Sequence, residues 1–178
     1  MSTQDQRGMS LKAFLLQTAH PSRTRHFAWF VGIALSCLAV SQIGSYLVEQ
    51  TIAQGDSIVI TSLLHFTHIR NMGGVFGMAQ GQGWLFAVFS LGLIAGLVIY
   101  LWRSTQVRTY EFICFGLVAG GGISNVLDRL IYGSVIDFID IKGIPYWHYI
   151  FNTADTFIHL GLWPMLFISI FLHKETTQ

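Results

Sequence analysis

Residues Phe27–Val48 read FAWFVGIALSCLAVSQIGSYLV, an apolar run without a single Asp, Glu, Lys or Arg. Roughly 20 such residues, rising about 1.5 Å each in a helix, cross a hydrocarbon core about 30 Å thick. The run predicts a transmembrane helix. Its length and the polar, basic residues before it do not suit a cleavable signal peptide, so it is expected to remain in the mature protein. Three further apolar runs follow. One extends from about Gly83 to Trp102, one from Phe112 through Gly120, Gly121 and Gly122 to about residue 131, and one from about Thr156 to His173 with Pro164 inside it. Neighbouring helices can re-satisfy a backbone interrupted by proline within a membrane. The predicted spans are therefore about 27–48, 83–102, 112–131 and 156–173, with a polar leader at 1–26 and a short tail at 174–178. Gly92 and Gly96 in the second span make a small-xxx-small pattern that either admits a neighbouring helix or is lipid-facing filler.

Composition agrees with a bilayer as the solvent. Of 178 residues, 52% are hydrophobic and 11% charged, too little polar material to cover a water-soluble globule. A formal net charge of +1 leaves no electrostatic footprint for nucleic acid, which is excluded as a partner. Cys37 and Cys114 lie in uncharged apolar stretches and read as small buried hydrophobes.

Basic residues accumulate in cytoplasmic segments. Of ten Lys and Arg, Arg7, Lys12, Arg23, Arg25, Arg103, Arg108 and Lys174 fall on one side of the four spans. Both termini are thus expected in the cytoplasm, and segments 49–82 and 130–155 outside, which for a bacterial inner membrane is the periplasm. The first outer segment has a β-branched run at Ser57–Ile60 and two histidines, His65 and His68, expected to be surface or interfacial and not a metal pair. The second reads as a turn at Tyr132-Gly133, a strand over Ser134–Ile141, a turn at Lys142-Gly143, and an aromatic stretch through Tyr146, Trp147 and Tyr149 suited to the headgroup belt.

Four of the nine acidic residues, Asp128, Asp137, Asp140 and Asp155, fall within this outer interval. Ionisable groups at membrane depth are costly and mark function by default. Two carboxylates held close together share a proton and divide into a base and an acid, the requirement of aspartyl protease chemistry. One activates a water while the other hydrogen-bonds the scissile carbonyl, with no metal or covalent nucleophile. Plainer readings compete. Asp128 sits beside Arg129 and three residues after Asn125, so an ion pair or polar network accounts for it as well as substrate contact does. Asn152 and Asp155 have the spacing of a helix-capping arrangement. Asp137 and Asp140, three apart, point to opposite faces of a regular strand, so only one can join a pair.

The segment Gly121–Asp140, GGISNVLDRLIYGSVIDFID, resembles the lipoprotein signal peptidase (signal peptidase II) signature of a small-residue turn, Asn, Asp-Arg, Gly and then Val-Asp-Phe. Phe151-Asn152-Thr153-Ala154-Asp155 resembles that family's Phe-Asn-x-Ala-Asp motif, and Arg70-Asn71-Met72-Gly73-Gly74-Val75-Phe76 its Asn-x-Gly-Ala-Ala-Phe motif. The resemblance covers roughly residues 27–173. It implies an all-α membrane protein with four transmembrane helices, a small periplasmic β-sheet forming a cradle near Glu49–Phe66, and a short periplasmic helix near Gly74–Gln82 that can close over substrate. It implies catalytic aspartates at Asp137 and Asp155, supported by Asn71, Asn125, Asp128, Arg129 and Asn152, which order the site and hold substrate, and no cofactor. The implied substrate is a diacylglyceryl-modified prolipoprotein, met in membrane lipid and cut on the N-terminal side of its lipidated cysteine. By position, Asp155 opens the fourth helix, where the macrodipole favours an anion, and is expected to be the base. A monomer is expected.

One motif departs from the family pattern. Where the family has Asp-Gln-x-x-Lys in the first helix, this chain has Ser41-Gln42-Ile43-Gly44-Ser45, and Ser124 stands where the family commonly has Gly. Replacing both members of a buried pair by hydroxyls costs little. The departure keeps open a catalytically inactive or specificity-altered paralogue that binds lipidated precursors. A small transporter using Asp128 and Arg129 as a relay is the alternative from another class.

Overall fold

A computed structural model describes residues 10, 13, 16–18 and 23–172. Arg7, Lys12 and Lys174, three of the residues used to orient the chain, lie outside the described residues, as do the tail and most of the leader. In order, the elements are α1 (Arg23–Thr51), β1 (Ser57–Val59), β2 (Leu64–Asn71), a 3-10 turn (Val75–Gly77), α2 (Gly83–Arg103), α3 (Thr109–Tyr132), β3 (Val135–Ile141), β4 (Ile150–Phe151) and α4 (Thr153–Leu172). All four helices are long and apolar enough to span a bilayer. Each contains its predicted span within the described residues.

Helix α3 is the centre of the bundle, packed by α1, α2 and α4. Its glycines make this possible. A Cβ on Gly120 would strike the Ala34 backbone of α1, and one on Gly121 the Ala154 backbone of α4, so only hydrogen lets the three backbones approach. Gly92 and Gly96, by contrast, have open space around them, so the filler reading holds for that pair. One apolar cluster of Phe30, Ala34, Leu101, Phe112, Phe115 and Ala119 joins α1, α2 and α3. Large side chains such as Leu35, Phe89, Trp102 and Phe167 face outward, as expected of helices whose surroundings are as apolar as their core.

The four strands form one antiparallel sheet in the order β1-β2-β3-β4. Helix α3 ends at Gly133, which takes the left-handed φ of +74° and returns its N–H to Arg129 O, so the chain enters β3 directly beside the helix it has left. Ile136 and Phe138 drop into a second apolar cluster with Val48 and Ile52 of the α1 end, which turns Asp137 to the opposite face. Between the pairs Phe66↔Ile139 and Ile69↔Asp137 the register shifts, so Thr67 and His68 together oppose Phe138. Such a bulge bends the strand next to the acids.

Three expectations need revision. Glu49 belongs to α1, and the strands occupy 57–59 and 64–71 in place of a cradle over Glu49–Phe66. The segment Gly74–Gln82 holds a single 3-10 turn, because Gly77, Ala79 and Gly81 all take positive φ and stop helix propagation. His68 is buried, not interfacial: its Nδ1 lies 2.7 Å from Ile52 O, and its Nε2 3.3 Å from Glu49 Oε2. Arg70, on the same face of β2, bonds the other Glu49 oxygen and the carbonyl of Tyr132.

Candidate active site

At the start of α4, Asn152 accepts the Asp155 N–H at its side-chain oxygen (2.9 Å), and its own N–H points to Asp155 Oδ2 (3.3 Å). This reciprocal arrangement is a capping box, so the plain reading of these residues is correct. The site is built on top of it. The Asn152 side-chain amide donates to Asp137 Oδ1 at 2.8 Å and to Asn125 Oδ1 at 3.1 Å. Asn125, projecting from α3, donates to Asp155 Oδ1 at 2.8 Å. One asparagine therefore touches both aspartates, and a second closes the ring between α3 and α4.

From the other side, Asn71 at the end of β2 donates to Asp137 Oδ2 at 3.1 Å and to Gly74 O at 3.1 Å. Its side-chain oxygen accepts the Gly73 N–H and the Gln80 amide. Gln80, which the sequence did not single out, also accepts the Met72 N–H and donates to Gly77 O. The loop carrying the 3-10 turn is thus tied to the acids through Asn71. Arg129 ties it to α3, donating to Gly73 O at 2.7 Å and to Asn125 O at 2.9 Å. Gly73 and Gly74 have no room for a Cβ, the first because of the Met78 carbonyl and the second because of the Phe86 ring.

Asp137 is 5% exposed and takes hydrogen bonds from two neutral amides. Burial, and next the negative charge of Asp155, push its carboxyl up to about 7, against the pull of the Asn71 and Asn152 donors. Asp155 is half-buried. Among the described residues no cation forms a salt bridge with either acid, and no group of three His, Cys, Asp or Glu has metal-site geometry. The arrangement suits two carboxyl groups sharing one proton, since among the described residues neither is paired directly with a cation.

The remaining acids take different roles. Asp128 is 1% exposed and faces Gln42, Ser45 and the backbone of Ile136; its neighbour Arg129 turns the other way. It forms the polar network that was one of its readings, and among the described residues it makes no ion pair. Asp140 points to the opposite side of β3, where Thr67 and Lys142 bind it.

Comparison with known proteins shows the family of the chain. The family model for signal peptidase (SPase) II matches residues 33–172. The chain is 34% identical over 152 residues to the lipoprotein signal peptidase of Brevibacillus brevis, covering 84% of this chain and 99% of that one. It is 35% identical over 141 residues to that of Bacillus subtilis, covering 79% and 91%. A solved bacterial membrane enzyme superposes with a TM-score of 0.72 at 30% identity over 83% of this chain and 89% of its own. Another gives 0.70 at 27% identity, covering 79% and 91%. With four membrane-spanning helices and a family match over most of its length, the chain belongs to the signal peptidase II family of multi-pass bacterial membrane peptidases.

Proposed function

We propose that this chain is an aspartyl endopeptidase that removes the signal peptide from diacylglyceryl-modified prolipoproteins, cutting on the N-terminal side of the lipidated cysteine. Membership of the signal peptidase II family supports prolipoprotein processing. The observation that carries the aspartyl mechanism is the chain of amides that joins the two carboxyl groups: Asn152 donates to Asp137 and to Asn125, and Asn125 donates to Asp155.

The chemistry follows from the pair. Asp155, at the first turn of α4, is the carboxylate that takes a proton from water. The water oxygen bonds to the scissile carbonyl carbon while the Asp137 acid gives its proton to the carbonyl oxygen, forming a tetrahedral diol. Collapse breaks the C–N bond as Asp155 passes the proton it took from water to the amine nitrogen and a diol hydroxyl returns one to Asp137, so the pair again holds one proton. A raised Asp137 favours this division, because a carboxyl pushed up to about 7 still keeps a large protonated fraction at neutral pH, where an ordinary carboxyl keeps almost none. Asn71, Asn125 and Asn152 hold the acids, and Arg129 holds the loop over them. Both termini lie in the cytoplasm and the site lies at the periplasmic face, where the lipid anchor of the substrate sits among headgroups. The protein works as a monomer.

The test is cleavage by the purified full chain of a precursor with a diacylglyceryl cysteine, with the products weighed by mass spectrometry. The expected products are the intact signal peptide and a protein beginning at the lipidated cysteine. Binding without any cut would support the inactive-paralogue reading instead.

A further inference from the structure

The three residues Gln42, Ser45 and Asp128 contribute no atom to the paired acids, yet Ser45 and Asp128 are among the most enclosed polar groups of the described residues and the half-buried Gln42 reaches in to them. Asp128 Oδ1 accepts the Gln42 amide at 2.7 Å, and Oδ2 accepts the Ser45 hydroxyl at 2.9 Å. Oδ2 also accepts the backbone N–H of Ile136 at 3.2 Å, the residue immediately before Asp137. Gln42 further reaches Ser124 Oγ at 2.9 Å and Ser124 O at 3.2 Å. Ser45, Asp128 and Ser124 are each 3% exposed or less, so no substrate reaches them.

The position of these bonds matters. Strand β4 borders β3 only at Ile139 and Asp140, so along the Asp137 stretch one edge of β3 has no neighbouring strand. At Ile136 the Asp128 carboxylate supplies the acceptor that a strand would have supplied. One residue beyond Asp137, the Phe138 ring lies against Gly44 of α1, where an added Cβ would come within 3.3 Å of it. Before Asp137, β3 is held by Asp128 of α3, which α1 fixes through Gln42 and Ser45, and after Asp137 it is held by the packing of Phe138 on α1.

We propose that Gln42, Ser45 and Asp128 are positioning residues that set the Asp137 carboxyl against Asp155 by clamping the Ile136 peptide. This rests on the peptidase reading of the site. The clamp is made of neutral donors around a carboxylate, and each donor has a separate contribution: Ser45 and Gln42 fix where Asp128 sits, and Asp128 fixes the strand. Misplacing a reacting group by about 1 Å costs on the order of a hundredfold in rate. Such a loss falls on kcat, because substrate does not touch the clamp.

The test compares Ser45→Ala, Gln42→Met and Asp128→Asn in the purified full chain, with Ser45→Thr as the conservative variant. Cleavage of a diacylglyceryl-modified precursor, the unfolding temperature and amide hydrogen exchange at Ile136 are read in parallel. Ser45→Ala and Gln42→Met are expected to lower kcat about tenfold, and Asp128→Asn about a hundredfold, with KM within about twofold and faster exchange at Ile136. Ser45→Thr, which keeps the hydroxyl, is expected to restore most of the rate. Full kcat in both Ser45→Ala and Gln42→Met would overturn the proposal, as would a loss confined to KM, or a lowered unfolding temperature with Ile136 exchange unchanged. If Asp128→Asn does not fold, the Ser45 series decides. A wild-type chain that cuts nothing would remove the peptidase reading, and Ile136 exchange would then decide on the clamp alone: faster exchange in Ser45→Ala supports it and unchanged exchange refutes it.

Discussion

Asp137 and Asp140 stand three residues apart on one strand, each 5% exposed, and their chemistry is opposite. Asp137 meets neutral amides and a second acid, and its carboxyl is pushed up to about 7 by burial and by Asp155. Asp140 meets the Thr67 hydroxyl at 2.7 Å and the Lys142 ammonium at 2.7 Å. Burial pushes it up too, but the bonds from Lys142 and Thr67 outweigh that and hold it below the usual carboxylate range. The result is a raised carboxyl on one face of the strand and a lowered one on the other. What separates them is the deeper burial of the Asp137 carboxyl together with the charge of the neighbour, Asp155 for one and Lys142 for the other.

The largest test of this contrast is substitution of the acids themselves. Asp137→Asn and Asp155→Asn are each expected to reduce cleavage by more than about a thousandfold, since members of a catalytic unit are not additive. Asp140→Asn is expected to stay within about threefold of wild type in the same assay. A large loss in Asp140→Asn would erase the distinction between the two faces. Next in size is the pair Asn152→Ala and Thr67→Val, which remove a neutral donor from each acid. Loss of Asn152 releases Asp137 and the α4 cap together, so kcat is expected to fall about a hundredfold, with a stability loss of about 1 kcal/mol in thermal or chemical unfolding. Thr67→Val is expected to leave kcat within about twofold.

The smallest expected effect is on stability. Lys142→Ala removes the cation from Asp140, and because Lys142 is 45% exposed the pair contributes only about 0.5 kcal/mol. The sign follows from the lowered carboxyl. Its contribution is complete above the unfolded value of about 3.9 and disappears as pH falls through the lower folded value. Asp137 runs the other way. With its carboxyl raised, its contribution is complete below the unfolded value and disappears as pH rises through about 7. Unfolding midpoints of wild type and Lys142→Ala should therefore converge in acid and separate at neutral pH.

Much of this was legible in the sequence for physical reasons. Charge-free runs of spanning length have one solution in a bilayer, so the four helices could be counted. The alternation Ile136-Asp137-Phe138 fixed which way Asp137 would face once the strand was recognised. Asn152 and Asp155 announced a cap by spacing, and the structure adds that the same asparagine reaches Asp137, which spacing cannot reveal. Contacts between distant segments were not legible. The side-chain partners of Asp128 lie more than eighty residues earlier, and the loss of both first-helix charges said only that the fold tolerates it, not that Gln42 and Ser45 supply donors to Asp128. His68 looked interfacial because nothing local shows that the α1 end brings Glu49 and the Ile52 carbonyl to it. The 3-10 turn in place of a helix depends on backbone angles at Gly77, Ala79 and Gly81 that composition only partly signals.

The central claim, one proton shared between Asp137 and Asp155, is tested most directly by kcat/KM of the wild-type chain from about pH 5 to about pH 9 on a diacylglyceryl-modified precursor. The account predicts a fall of about tenfold per pH unit beginning near 7, with the same limb in Asp140→Asn. A rate that stays flat through 7, or a limb that moves when Asp140 is replaced, would contradict it.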